Sequence, residues 1–274
     1  MDKLYRLVGA AGMRFRAFGV TVGIRVNEPT TLETLRGCLP PGSRGRKAGA
    51  VKRLYSFYLN REPRRNGLRR FHAVYGDQQI LCRSENEKDL YEEFERDVDS
   101  FIAQTSTTRL FVHAGVVGWN GKAIVMPGRS FTGKTTLVAE FLRAGATYYS
   151  DEFAVFDRNG YVHPFSRPLG VRPDSSGRQT RKAADEFESQ VGNEPLPVGL
   201  VIVTEYKKSA TWRPRAATSL GRGLLNLLAN SLSARANPAL ALSILTRMNE
   251  GARILLGVRG EAKDVVRAVE SGEV

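Results

Sequence analysis

Cysteine is almost absent: Cys38 and Cys82 stand 44 residues apart, and neither sits in a metal-ligand spacing. That excludes a disulfide scaffold and a cysteine zinc site, and free thiols in a reducing cytoplasm are the expected state. Long apolar runs are also lacking, and none approaches the roughly 20 residues that a membrane helix needs. Arginines at 6, 14 and 16 interrupt the first 18 residues, so no secretory signal is expected there. Histidine is scarce as well, with only His72, His113 and His163. What remains is 274 residues with 42% hydrophobic and 25% charged side chains, enough for one large domain or two modest ones with a core. Disordered, collagen-like and coiled-coil classes are excluded by that balance.

The charge is uneven. Lys and Arg number 41 against 28 Asp and Glu, a net +13. Residues 1–85 hold 17 basic and six acidic side chains, whereas 86–274 hold 24 and 22. The excess therefore lies in one N-terminal segment, which points to two regions with different tasks. Within it, residues 36–70 carry 11 Lys or Arg and one acid, with Tyr55, Phe57 and Tyr58 interleaved. Basic charge with aromatics is the footprint of single-strand nucleic-acid binding. The same aromatics also fit an alternating strand core, and an acidic peptide or protein would suit the patch equally, so nucleic acid is the disfavoured partner.

Residues 4–26 alternate around glycines as short strands joined by turns, and 51–60 and 69–75 read as further strands. Residues 1–85 are thus expected to form a small β-rich domain. A helix over 86–104, with Leu90, Phe94, Val98, Phe101 and Ile102 at helical spacing, is expected to link it to the remainder. Runs at 110–119 and 122–127 flank Asn120-Gly121, a strong hairpin signal. A helix from Lys134, strands near 146–149, 154–156 and 198–203, and helices at 222–234, 238–249 and 261–270 complete an α/β pattern for 105–274.

The chemistry is concentrated at Gly128-Arg129-Ser130-Phe131-Thr132-Gly133-Lys134-Thr135, followed by Thr136. This is the full G-x-x-x-x-G-K-[ST] pattern, with an apolar strand running in and an amphipathic helix running out. Glycines let backbone N–H groups turn toward anionic oxygens, and the helix N-terminus adds a favourable dipole. Lys134 supplies charge to the β and γ phosphates of ATP, and the Thr135 hydroxyl suits Mg²⁺. Ser150-Asp151-Glu152 follows at a strand end, 17 and 18 residues beyond Lys134 for the two acids. Alone, such a pair reads as a solvated turn. Beside a phosphate loop it can meet the metal or accept a proton from an attacking hydroxyl. His113, alone, reads as a hydrogen-bonded core histidine.

Together, these pieces from Leu110 to Phe156 resemble the HPr kinase/phosphorylase family and its HPr-kinase-related members, some of which modify peptides. The resemblance covers about a sixth of the chain closely. It implies a P-loop nucleotide-binding kinase domain of the HPr kinase/phosphoenolpyruvate carboxykinase type, with ATP and Mg²⁺ as cofactors. It also implies that Lys134 holds the phosphates and Thr135 and Glu152 the metal. Asp151 would be the principal acid/base, with Glu152 beside it, His113 would support the site, and Arg222 in Gly221-Arg222-Gly223 would match a family arginine. Ring-forming homo-oligomers are a family property. The sequence departs from the family at Phe131, where glycine is usual, and at Glu152, where a second aspartate is usual. It also departs at His163–Gly170, which replaces a segment rich in Glu, Arg and Gly. That last departure argues against a bifunctional, phosphorolytic enzyme.

The leading expectation is an ATP- and Mg²⁺-dependent kinase acting on a hydroxyl, serine above all, of a protein or peptide. The alternatives are a nucleotide-binding switch or weak ATPase without phosphotransfer, and a kinase of a small-molecule hydroxyl.

Overall fold

Alternation along the first strands sets the architecture of the N-terminal half. The computed structural model describes residues 9–61, 70–129, 132–171, 180–216 and 220–273. The chain divides into two compact units, Met1–Thr107 and Thr108–Val274. In the first, β1 (Ala11–Ala17) and β2 (Val20–Val26) form a hairpin, followed by α1 (Thr31–Gly37), β3 (Arg44–Gly45), β4 (Arg53–Tyr58), β5 (His72–Gly76) and β6 (Gln79–Ser84). They make a six-stranded sheet ordered β3-β1-β2-β4-β5-β6, antiparallel except where β2 runs parallel to β4. Residues 4–8, expected to begin the first strand region, lie outside the described residues, as does most of the turn expected over 61–67.

Residues 87–105 form α2 (Glu87–Thr105), opened by an Asn86 side chain that accepts from the Lys88 N–H. The sequence suggested a link between regions, but α2 belongs to the first unit. Its apolar stripe of Leu90, Phe94, Val98 and Ile102 needs a partner surface, and Tyr55 and Phe57 supply it. Phe94 meets those rings edge-on at 4.9 and 5.4 Å. Asp97 adds polar ties, accepting from the Tyr55 hydroxyl at 2.6 Å and pairing with Arg53 at 3.2 Å.

The second unit begins with β7 (Leu110–Trp119) and β8 (Lys122–Pro127), joined by Asn120 and Gly121 at φ 48° and 75°. Positive φ at both turn residues matches the strand twist, so the hairpin expected from Asn-Gly is present. α3 (Lys134–Arg143), β9 (Thr147–Ser150), β10 (Phe153–Phe156), β11 (Val162–His163), β12 (Leu169–Val171) and β13 (Thr180–Lys182) follow. Then come a 3-10 turn (Ala184–Phe187), β14 (Val198–Tyr206), β15 (Arg215–Ala216), α4 (Leu220–Ala229), α5 (Pro238–Asn249), β16 (Arg253–Arg259) and α6 (Ala262–Glu270).

An eight-stranded mixed sheet, ordered β11-β10-β7-β8-β14-β16-β15 with β9 beside β7, carries helices on both faces. α3 and α6 cover one face, where Leu137, Phe141 and Val265 join Ile124, Met126 and Ile202. α4 and α5 cover the other, where Leu227, Ile244 and Leu245 join Val125, Val201 and Ile254. The unit is therefore α/β, as expected. β16 is an element that the sequence pattern did not predict. Its Ile-Leu-Leu-Gly-Val run lacks alternation because the strand lies inside the sheet, parallel to β14 and flanked by helical layers. α4 ends at Ala229, short of the expected 234, because Asn230 and Leu232 bond instead to β7 at His113 and Phe111.

Three parallel strands, β8, β14 and β16, end at one edge of this sheet. Ligands of open α/β sheets gather at such edges. α3 approaches β7 so closely there that a Cβ at Gly115 would lie 2.5 Å from Val138 Cγ2. We expect Gly115→Ala to cost about 1–3 kcal/mol through overpacking, measured by urea unfolding. The loss should be accompanied by displacement of the α3 N-terminus.

Candidate functional site

The strand-to-helix junction at 127–134 is built by backbone ties at both ends. As β8 leaves the sheet, the Gly128 N–H donates to the His113 carbonyl at 3.1 Å. At the other end Gly133 stands at φ 82°, left-handed, immediately before α3. A side chain at 133 would be strained, and its Cβ would collide with the Arg259 guanidinium. Between them the loop folds on the Arg129 carbonyl, which accepts from Thr132 Oγ1 at 2.8 Å and from Lys134 Nζ at 2.7 Å. Among the described residues no side chain caps α3, and its first turn holds no acid. The leading N–H groups of a helix have no partner within it, so this end is suited to an anion.

The acidic turn meets α3 from β9. Thr135 Oγ1 donates to Asp151 Oδ2 at 3.2 Å, and the Gly170 N–H donates to the same oxygen at 3.2 Å. Oδ1 lies 3.1 Å from the Tyr148 hydroxyl, whose proton has a shorter acceptor in the Arg167 carbonyl at 2.6 Å. Burial pushes the Asp151 carboxyl above the usual range, opposed by the bonds from Gly170, Tyr148 and Thr135. The Ser150 hydroxyl accepts from the Glu152 and Phe153 N–H groups and shapes the turn, and Glu152 itself is exposed.

Of the residues singled out from sequence, Gly128, Arg129, Thr132, Gly133, Lys134 and Thr135 therefore form one loop, with Asp151 against it. His113 lies half-buried on β7, its ring 5.0 Å from that of Phe153. Burial, then the Lys134 charge, lowers its pKa, so it is held neutral. Burial also lowers the pKa of Lys134, while Asp151 and Glu152 act to raise it. Thr136 is exposed on α3. Ser130 and Phe131 lie outside the described residues. Arg222 falls in α4, which packs through Leu224 and Leu227 on the sheet face opposite α3, and its side chain is also outside the description.

Sequence reasoning overlooked Tyr148, Gly170 and Arg259. Tyr148, three residues before it, and Gly170, 19 residues after it, meet the Asp151 carboxylate. Arg259 ends β16 and donates to the Gly133 carbonyl at 2.9 Å. An arginine closing an apolar run was the only sequence sign of it, and that run was not recognised as a strand.

The donor set fits Mg²⁺. A hydroxyl and a carboxylate lie side by side, both hard oxygen donors. Among the described residues no group of three or more His, Cys, Asp or Glu is arranged to hold a metal alone. Magnesium in phosphate sites needs no such cage, since one or two carboxylates plus substrate phosphates suffice. No protein-family model matches the chain, and no curated protein shows significant similarity to it.

The raised pKa of Asp151 carries a sign. A carboxyl that keeps its proton more tightly when folded contributes stability below its ordinary pKa, and that contribution is lost as pH rises through the folded value. At neutral pH the buried charge is therefore a cost. Asp151→Asn should raise the melting temperature at pH 7 in magnesium-free buffer. An amide there can accept from Thr135 and donate to the Tyr148 oxygen. The gain should shrink as pH falls toward about 4. A lower melting temperature at pH 7 would contradict this account.

Proposed function

We propose that residues 108–274 form an ATP- and Mg²⁺-dependent phosphotransferase of HPr-kinase-like type, delivering the γ-phosphoryl to a hydroxyl of a protein or peptide. The observation that carries this reading is the Thr135–Asp151 hydrogen bond. It joins the phosphate-loop hydroxyl to the acidic turn across 16 positions of sequence. A loop Thr and a strand-end Asp are the pair that hold the metal in phosphate-loop enzymes. This favours Asp151, rather than Glu152, as the metal carboxylate.

The roles divide accordingly. Lys134 and the leading N–H groups of α3 take up the charge on the β and γ phosphates. Thr135 and Asp151 would hold Mg²⁺, which would supply positive charge against the phosphates. Glu152, exposed beside them, accepts the proton of the acceptor hydroxyl as its oxygen bonds to the γ phosphorus. The bond from that phosphorus to the bridging β–γ oxygen breaks, leaving ADP and a phosphate ester. His113, neutral and half-buried, anchors Gly128 through its backbone carbonyl and adds no competing positive charge.

The test is transfer of labelled phosphate from Mg-ATP into proteins and peptides of an extract of the source cell. A discrete labelled product is expected, lost in Lys134→Ala by about 100-fold or more. Glu152→Gln should abolish labelling while ATP still binds. Asp151→Asn should remove the dependence of ATP affinity on magnesium. Binding without label in any fraction would overturn phosphotransfer, and no ATP binding would overturn the whole reading.

A further inference from the structure

The guanidinium of Arg259 is the most deeply buried cation near the phosphate loop, with the residue 2% exposed. It forms no ion pair among the described residues. Nη2 donates to the Gly133 carbonyl at 2.9 Å and Nη1 to the Gly260 carbonyl at 3.0 Å. Nε has no hydrogen-bond partner. The Tyr206 ring lies 5.5 Å away on the adjoining strand, and Glu261 acts only through space. A buried cation without a carboxylate is costly unless something else compensates it.

Its place suggests what that is. The Gly133 carbonyl already accepts from Leu137 N–H at 3.1 Å as the first helical bond of α3. Arg259 adds a second, charged donor to the same oxygen. In a planar trans peptide the C=O and the next N–H point in opposite directions. Fixing the Gly133 oxygen toward β16 and α3 therefore aims the Lys134 N–H back into the loop. The fixation matters at this point because Gly133 is left-handed, and glycine leaves the peptide free to turn.

We propose that Arg259 is a positioning residue. It locks the Gly133–Lys134 peptide so that the Lys134 N–H faces the terminal phosphates of the nucleotide, and it supplies the positive field that those phosphates compensate. This rests on the phosphate-binding reading above and assigns part of its selectivity, for di- and triphosphates over monophosphates, to a residue outside the loop. The fixed donor costs no reorganisation when the anion arrives.

The experiment is equilibrium binding of ATP, ADP, AMP and inorganic pyrophosphate, with magnesium, to the full chain and to Arg259→Gln and Arg259→Lys. Melting temperatures identify the folded variants. Arg259→Gln keeps an amide donor but loses the charge. It should weaken ATP, ADP and pyrophosphate by at least about tenfold and AMP by less than about twofold. Arg259→Lys keeps the charge but not the two-pronged fork, and should weaken ATP by about three- to tenfold with AMP unchanged. A merely structural role would lower the melting temperature and leave the ATP-to-AMP ratio alone, and that result would overturn the proposal. If Arg259→Gln fails to fold, Arg259→Lys decides, and an unaltered ratio there overturns it equally. Wild-type protein that binds neither ATP nor pyrophosphate removes the phosphate-loop reading and this inference together. Wild-type binding with unaltered ratios in the variants removes this inference alone.

Discussion

A helix that starts at a sheet edge without a cap has N–H groups that must find partners, and the second unit is arranged around that constraint. Among the described residues α3 has neither a capping side chain nor an acid in its first turn. A cap would satisfy a leading N–H, and an acid would supply the negative charge that the dipole favours. Instead, cations stand beside it: Lys134 in its first turn and Arg259 behind Gly133. The loop before it is held by bonds to its own Arg129 carbonyl and by Gly128 to His113. The parallel strands β8, β14 and β16 bring these parts to one edge, and Gly115 lets α3 sit tightly enough on β7 to keep them there.

Charge balance at this edge follows from burial. Lys134 and His113 are both pushed toward their neutral forms, and Asp151 toward its protonated form, with desolvation the leading cause for all three. Each group would be better solvated elsewhere, so the cluster costs stability to assemble. An anion beside Lys134 and a divalent cation beside Asp151 would offset both penalties at once. Strain of this kind is characteristic of functional clusters, where perturbed ionisations are tuned for a partner. Structural ion pairs such as Arg53–Asp97 in the first unit show the contrasting case, with each charge already met.

The motif and the elements beside it were readable from local pattern alone. The hairpin at Asn120-Gly121 and the helix from Lys134 lie where sequence placed them, and α2 begins and ends within a residue of expectation, because turn residues and 3.6-residue spacing encode them directly. Two matters were not legible. β16 buries Ile254 and Leu255 on opposite faces, and a short continuous apolar run does not distinguish a strand from a helix. With that strand unseen, nothing in the local pattern singled out Arg259. The adjacent acids posed a different problem, since Asp151 and Glu152 are equivalent as text. Only the turn held by Ser150 decides that one carboxylate bonds Thr135 and the other is exposed. Likewise the apolar stripe of α2 announced a buried face but not which surface would bury it.

The basic excess of the first unit can be argued a step further from which side chains the fold consumes. Strand alternation puts Phe15 and Ala17 inward and leaves Arg14 and Arg16 exposed. Arg44, Arg46, Lys47 and Lys52 are exposed too. Of the three aromatics interleaved with this charge, Tyr55 and Phe57 are buried under α2, and Tyr58 alone is exposed, at 37%. A stacking platform for single-stranded nucleic acid depends on successive exposed rings. Here the rings are spent on the core while the charge stays outside. Among the described residues that combination provides long-range attraction for anions without a row of exposed rings for base stacking.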